Sequence, residues 1–397
     1  MTAPDVPVSV LVVGASAAGL STAESLRRKG YRGLLTILGA EDELPYDRPP
    51  LSKQMLSGAW EPERTQLRPA AALSELDAEF ILGDAAVGLD TRASTVRTAS
   101  GRTVGSDAIV IATGVRPRTL PGADEVAGVH VLRTLHDALA LRAELLESDR
   151  LVVIGEGVLG AEIAATARTL GLDVTMVGPM AAPMIGPLGP AVATVLGELH
   201  TENGVHCRLG ISVTGLTSDA RGRVAGVCLD TGEELPADIV VVAIGATPAT
   251  DWLDGSGLTL DNGVVCDSRC RAAEEIYAVG DVARFHHEQL GTLIRLENRT
   301  NATEQAAAVA DNILCADRPY SPIPYFWTDQ FDAKIQVHGT VPIGAEAEIV
   351  DGDPGARRFL TRYSLNGQVT GIVGWNMPKQ TRLHRQEIVD APALVVP

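Results

Sequence analysis

Two glycine-rich turns constrain this chain more than any other feature. The first reads Gly14-Ala15-Ser16-Ala17-Ala18-Gly19 and the second Gly155-Glu156-Gly157-Val158-Leu159-Gly160, 141 residues apart from Gly14 to Gly155. Each follows an apolar run, Val8 to Val13 and Leu151 to Ile154. Each opens a helical stretch, Leu20 to Lys29 and Ala161 to Leu170. A second apolar run then follows, Leu34 to Leu38 and Asp173 to Val177, so the pattern predicts a βαβ unit twice. In such a unit the first glycine permits the tight turn and the third position lets the backbone approach a pyrophosphate. The last glycine lets the helix pack closely, and the helix N-terminus faces the phosphates. The second turn has the complete pattern, whereas the first carries Ser16 at its third position, small enough to serve nearly as well. Both turns are therefore candidate nucleotide sites, the alternative being tight turns without a ligand.

The ribose partners are less regular. Glu41, 27 residues after Gly14, is placed either to accept from an adenosine ribose or to stand as a solvated loop carboxylate. In the second unit the acidic residue expected after Val177 is missing, because the chain runs Gly178-Pro179-Met180, and no nearby arginine offers itself to a 2′-phosphate. The motif thus does not set NADH against NADPH. Two nucleotide sites in one chain point to a bound flavin and a mobile nicotinamide, with hydride passing to the flavin and electrons leaving singly.

Further buried strands are expected at Ala108 to Ala112, Ile239 to Gly245 and Ile276 to Val279, with a helix at Asn301 to Leu314. Glu43 to Lys53 reads as an ordered loop. Beyond Pro319 antiparallel strands are expected near Ala333 to His338, Arg358 to Tyr363 and Val369 to Trp375, then a helix from Gln380 to Val389. The expected fold is α/β, with two Rossmann-like nucleotide-binding domains and a C-terminal α+β domain. Residues 1–113 and 245–320 would form the flavin domain, 114–244 the nicotinamide domain and 321–397 the third.

With 50 acidic residues against 33 Lys and Arg, the net charge of −17 argues against a nucleic-acid binder. No run of 18 apolar residues predicts a membrane span, and the first residues lack the pattern of a secretory signal. Five scattered cysteines suit a reducing cytoplasm. Cys266 and Cys270, expected in a surface loop, read as ordinary thiols rather than a metal pair, so no metal site is expected.

At Pro45-Tyr46-Asp47-Arg48-Pro49-Pro50-Leu51-Ser52-Lys53 the chain resembles the FAD-dependent ferredoxin reductases of cytochrome P450 and Rieske oxygenase systems, the putidaredoxin reductase type. The resemblance continues through Ala112-Thr113-Gly114, Glu162, Tyr277 to Val282, Glu304-Gln305, Tyr325 to Gln330 and Gly374-Trp375-Asn376. It implies a glutathione-reductase-like architecture holding FAD and using NADH or NADPH, with NADH slightly favoured. It implies that Arg48 and Lys53 lie near the flavin and its diphosphate, that Ala112, Thr113 and Gly114 close over it, and that Arg133 helps hold it. Gly280 and Asp281 would meet the ribityl or diphosphate region, and Glu297, with Asn298 and Arg299, would be flavin-adjacent. Glu162 would face the nicotinamide and Trp327 the isoalloxazine edge. Lys53, Glu162 and Trp327 are the catalytic candidates.

The implied partner is a ferredoxin-type iron–sulfur protein feeding an oxygenase, with the reductase a monomer or homodimer. Such carriers are typically acidic, so docking on an acidic reductase needs a local patch. Arg295, Arg299, Lys379, Arg382, His384 and Arg385 are its candidates. The alternatives are an NAD(P)H oxidase or small-acceptor flavin reductase, and an interaction protein resembling apoptosis-inducing factor.

Overall fold

The computed structural model describes residues 6–389. The expectation of no secretory signal, and the outer ends of the first and last expected domains, fall partly outside that range.

The first βαβ unit is built on Ser9–Val13, the helix Ala17–Arg28 and Leu34–Leu38. Its six-stranded sheet runs Arg271–Ala273, Ile276–Ala278, Ala108–Ile111, Ser9–Val13, Leu34–Leu38, Glu79–Ile81. All neighbours are parallel except the Arg271–Ala273 and Ile276–Ala278 pair. Ser9–Val13 and Ala108–Ile111 are central strands covered on both faces, which is why they read as unbroken aliphatic runs. The helix Arg299–Ile313 packs on Ala17–Arg28, so a distant segment completes this layer.

The second unit repeats the plan with Arg150–Ile154, Val158–Thr169 and Asp173–Gly178. Its five-stranded parallel sheet runs Val205–Leu209, Asp173–Gly178, Arg150–Ile154, Ile239–Val242, Val129–His130. The chain passes between the two units through Val115–Pro117 and returns through Ala246–Pro248, and these two short strands pair antiparallel.

The last sheet is antiparallel, in the order Tyr325–Gln330, Ala333–Gly339, Gln368–Trp375, Arg358–Leu365, Glu346–Asp353. It shares a core with the second unit rather than standing alone. The Tyr363 hydroxyl donates to the Leu188 carbonyl at 2.6 Å, and the buried His200 and Gln330 side chains meet at 2.7 Å.

Three expectations need correction. The segment expected as a final helix from Gln380 is two short helices, Pro378–His384 and Gln386–Val389, the first starting where Pro378 presets the backbone. Within the expected loop, Leu51–Met55 forms a π-helical turn. Cys266 and Cys270 are buried, not on a surface loop, and burial pushes the Cys270 thiol up to about 12. Among the described residues no group of three or more His, Cys, Asp or Glu side chains is arranged to hold a metal.

Candidate active site between the glycine turns and the C-terminal sheet

The two glycine turns are near-copies in detail. Gly14 and Gly155 both have positive φ, 127° and 116°. A Cβ there would lie 2.2 Å from the Ala112 carbonyl oxygen and 2.3 Å from the Ala243 carbonyl oxygen respectively. A Cβ on Gly19 would lie 1.8 Å from the Gly14 oxygen, and one on Gly160 1.9 Å from the Gly155 oxygen. These four positions are closed to any side chain. Gly157 is different, because a Cβ there would meet no atom within 4 Å. Ser16 and Gly157 occupy the N-cap positions, and no side chain caps either helix. The first-turn amides of both helices are thus left for a ligand.

Both N-termini open on one cavity of about 640 Å³, which takes Ser16, Ala17 and Ala18 from the first turn and Gly157, Val158 and Leu159 from the second. Ala112, Thr113, Gly114, Gly280 and Trp327 also line it. Gly14, Ala15, Gly19, Gly155 and Gly160 shape the turns without lining the cavity.

Four arginines line one wall. Arg48 bonds Glu41 at 2.7 Å and the Tyr46 hydroxyl at 3.0 Å, and its Nε is buried without a hydrogen-bond partner. Glu41 itself does not line the cavity; its other oxygen accepts from the Tyr46 hydroxyl. Arg133 faces Asp281 at 3.5 Å. Burial, then the Arg48 charge, pulls Arg133 below its ordinary value, while burial pushes the Asp281 carboxyl up against the pull of Arg133. Arg295 pairs with Glu297 at 2.5 Å and Arg299 with Asp47 at 2.5 Å. Each of these partly buried cations has a carboxylate partner, but the Arg48 Nε donor is left over and the Arg133–Asp281 pair is long, so the wall retains donors that suit a diphosphate. Unlike the other docking candidates, Arg295 and Arg299 line the cavity, and both are ion-paired. Lys379, Arg382 and Arg385 are exposed, and His384 pairs with Glu387.

A buried junction also lines the cavity. Glu162, on Val158–Thr169, accepts from Ser52 Oγ at 2.5 Å and Lys53 Nζ at 2.8 Å through one oxygen. Its other oxygen accepts from Thr328 Oγ1 at 2.8 Å. Two distant segments converge on this carboxylate. Sequence reading named Lys53 and Glu162 separately and missed Ser52 and Thr328, although both stand inside the quoted motifs. Nothing local in the chain announces a contact across 110 or 166 residues. Trp327 lies next to Thr328 on Tyr325–Gln330 and stacks on Tyr325, ring centres 6.0 Å apart. A dinucleotide cradle, a cationic wall and a flat aromatic wall fit FAD, and the second glycine turn on the same cavity fits a nicotinamide nucleotide.

Comparison with known proteins agrees with this geometry. Residues 8–306 match the pyridine nucleotide-disulphide oxidoreductase family and residues 325–393 the reductase C-terminal family. Rhodocoxin reductase of Rhodococcus erythropolis is 36% identical over 94% of this chain and 87% of its own. The ferredoxin–NAD(+) reductase subunit of the benzene 1,2-dioxygenase system of Pseudomonas putida is 35% identical over 98% and 94%. Among solved structures, the reductase in the covalent putidaredoxin reductase–putidaredoxin complex superposes with a TM-score of 0.91 at 33% identity, covering 96% of this chain and 93% of that one. The ferredoxin reductase for the CYP199A2 system from Rhodopseudomonas palustris gives 0.92 at 32%, covering 97% and 96%. With two nucleotide folds on one cavity and the C-terminal sheet closing it, the chain belongs to the FAD-dependent NAD(P)H:ferredoxin reductase family.

Proposed function

We propose that this chain carries electrons from NAD(P)H, through FAD, to a ferredoxin-type iron–sulfur protein that feeds a cytochrome P450 or Rieske oxygenase. The observation that carries the reading is the single cavity on which both glycine-turn helices open, lined also by Lys53, Glu162 and Trp327. Bound FAD supplies the hydride acceptor and the stepwise release of electrons.

The residues divide the work. The Ala17–Arg28 N-terminus, Arg48 and Arg133 would hold the FAD diphosphate, and Asp281, Gly280 and Glu297 would accept the ribityl chain. Glu41 anchors Arg48, with one oxygen engaged by that guanidinium and the other by the Tyr46 hydroxyl. Ala112, Thr113 and Gly114 line the cavity and would close over the bound cofactor, Gly114 taking a φ of 69°. Lys53 presents a cation whose position is fixed by Glu162. Glu162 has both oxygens engaged, so it positions Lys53 rather than moving a proton. Hydride transfer needs alignment and exclusion of water more than acid–base help. Trp327 lines the cavity and would offer the ring system a flat aromatic wall.

In this reading residues 1–113 and 245–320 would form the FAD domain, 114–244 the nicotinamide-nucleotide domain and 321–397 the C-terminal domain that helps shape the flavin site. Among the described residues no helix is long and apolar enough to cross a membrane. The scattered free cysteines favour the cytoplasm.

The test is stopped-flow reduction of the FAD-loaded protein by NADH and NADPH, followed by addition of ferredoxins with cytochrome c as reporter. Rapid flavin bleaching and ferredoxin-dependent cytochrome reduction are expected. Fast oxygen consumption without any carrier, and no gain on adding one, would overturn the reading in favour of an oxidase.

A further inference from the structure

In a dinucleotide-binding unit a carboxylate about 20 residues past the first glycine, at the end of the second strand, reads the adenosine ribose. Here that strand, Asp173–Gly178, ends on a glycine, and Pro179 and Met180 follow. No residue at the strand end carries the carboxylate. The space is nonetheless filled by one. A Cβ on Gly178 would lie 1.6 Å from Oε2 and 2.4 Å from Cδ of Glu156.

Glu156 is the second residue of the Gly155–Gly160 turn and is only 6% exposed. Its Oε1 accepts from the Met180 N–H at 2.9 Å, and its carbonyl accepts from the Met184 N–H at 2.9 Å. The glycine turn therefore delivers its own carboxylate across to the strand end. The two positions are coupled by volume. Any side chain at 178 would collide with the Glu156 carboxylate, and Glu156 can lie there only because 178 is glycine. On the neighbouring strand Arg208 stands opposite Val177, and its guanidinium is paired with Glu233. His206, opposite Thr175, is paired with Asp173.

The geometry points to Glu156 as the residue that selects the nicotinamide nucleotide. Its carboxylate stands in for the missing strand-end acid, accepts from the ribose 2′-hydroxyl of NADH and repels the 2′-phosphate of NADPH. This rests on reading the N-terminus of Val158–Thr169 as the nicotinamide-nucleotide site. A buried carboxylate satisfied by a ribose hydroxyl discriminates strongly. A dianionic phosphate in the same place meets a like charge and leaves the hydroxyl acceptor unpaired.

Isothermal titration calorimetry of the FAD-loaded protein with NAD+ and NADP+ tests the assignment, on the natural chain, on Glu156→Gln and on the exchange variant Glu156→Gly with Gly178→Glu. The natural chain should bind NAD+ at least about tenfold more tightly than NADP+. Glu156→Gln should narrow that ratio about tenfold, chiefly by strengthening NADP+, with the flavin spectrum and melting temperature retained. The exchange variant should restore the preference for NAD+, because the carboxylate returns to the strand end by the other route. Equal affinities in the natural chain overturn the assignment whether or not any variant folds, and so does an unchanged ratio in Glu156→Gln. If neither nucleotide binds the natural chain, the nicotinamide reading of this turn falls with it. Tight binding of both nucleotides overturns only the role of Glu156.

Discussion

At the scale of single residues the Lys53–Glu162 pair shows how a buried charge is tolerated. The carboxylate leaves water only because an ammonium and two hydroxyls meet it together. Removing the ammonium leaves a buried carboxylate without a counter-charge. Lys53→Met should therefore cost about 3 kcal/mol in urea unfolding of the FAD-loaded protein. Lys53→Met with Glu162→Met should cost less than the sum of the two single changes, because no charge is then stranded. Additive costs would mean the two side chains act independently. His338 offers a second residue-level prediction. Burial, then the Arg385 charge, lowers it to about 4 in the folded chain. The unfolded chain takes up this proton near pH 6.5, the folded chain only near pH 4, so stability falls as the pH drops through that window. The loss should be on the order of 2 kcal/mol between pH 7 and pH 4, and His338→Gln should flatten it. An unchanged pH slope in that variant would remove His338 from the account.

At the scale of elements the glycine turns separate folding from binding. Gly160 sits against the Gly155 carbonyl, so Gly160→Ala should cost about 3 kcal/mol or abolish the fold. Gly157 has φ −73° and open space around its Cα, so Gly157→Ala should change stability by less than about 1 kcal/mol. It should still weaken NADH binding severalfold, measured as the concentration dependence of flavin reduction, because the added methyl fills the approach to the helix N-terminus. The same elements explain what the sequence made legible. Parallel strands covered on both faces appear as aliphatic runs, and Leu34–Leu38 matched to the residue. Helix starts were read late, at Leu20 and Ala161 rather than Ala17 and Val158, since glycine-turn residues join the first helical turn. Glu346–Asp353 escaped notice because it is an edge strand with both faces exposed, so no alternation marks it. Cys266 and Cys270 looked peripheral among polar neighbours, yet the return of Ile276–Ala278 into the sheet buries them. Glu156 was visible as a charge between two glycines, but only the fold brings it over Gly178.

At the scale of the whole molecule, the charge of −17 sets the terms for any acidic carrier. Long-range attraction is unfavourable, so productive encounter depends on a local exception. The described surface has one beside the cavity cover. Lys379, Arg382 and Arg385 are exposed on or next to Pro378–His384, and Leu383 among them is 64% exposed. That helix packs on Ala333–Gly339 and Gln368–Trp375. From the same sheet a row of rings leads inward, with His338 stacked on Tyr325 at 4.5 Å and Tyr325 on Trp327 at 6.0 Å. A carrier seated on this helix is thus joined to the cavity wall by packed aromatic side chains. Reversing Arg382 and Arg385 to glutamate should raise the KM for a ferredoxin about tenfold or more. Flavin reduction by NADH and turnover of a small dye should be unchanged, because neither side chain lines the cavity. The salt dependence should change as well. In the natural chain added salt weakens the local attraction and screens the repulsion between net charges, whereas in the reversed variant it relieves repulsion alone. Ferredoxin reduction by the variant should therefore recover as ionic strength rises, measured by cytochrome c reduction. Equal loss with dye and ferredoxin, or no loss with either, would place the docking surface elsewhere.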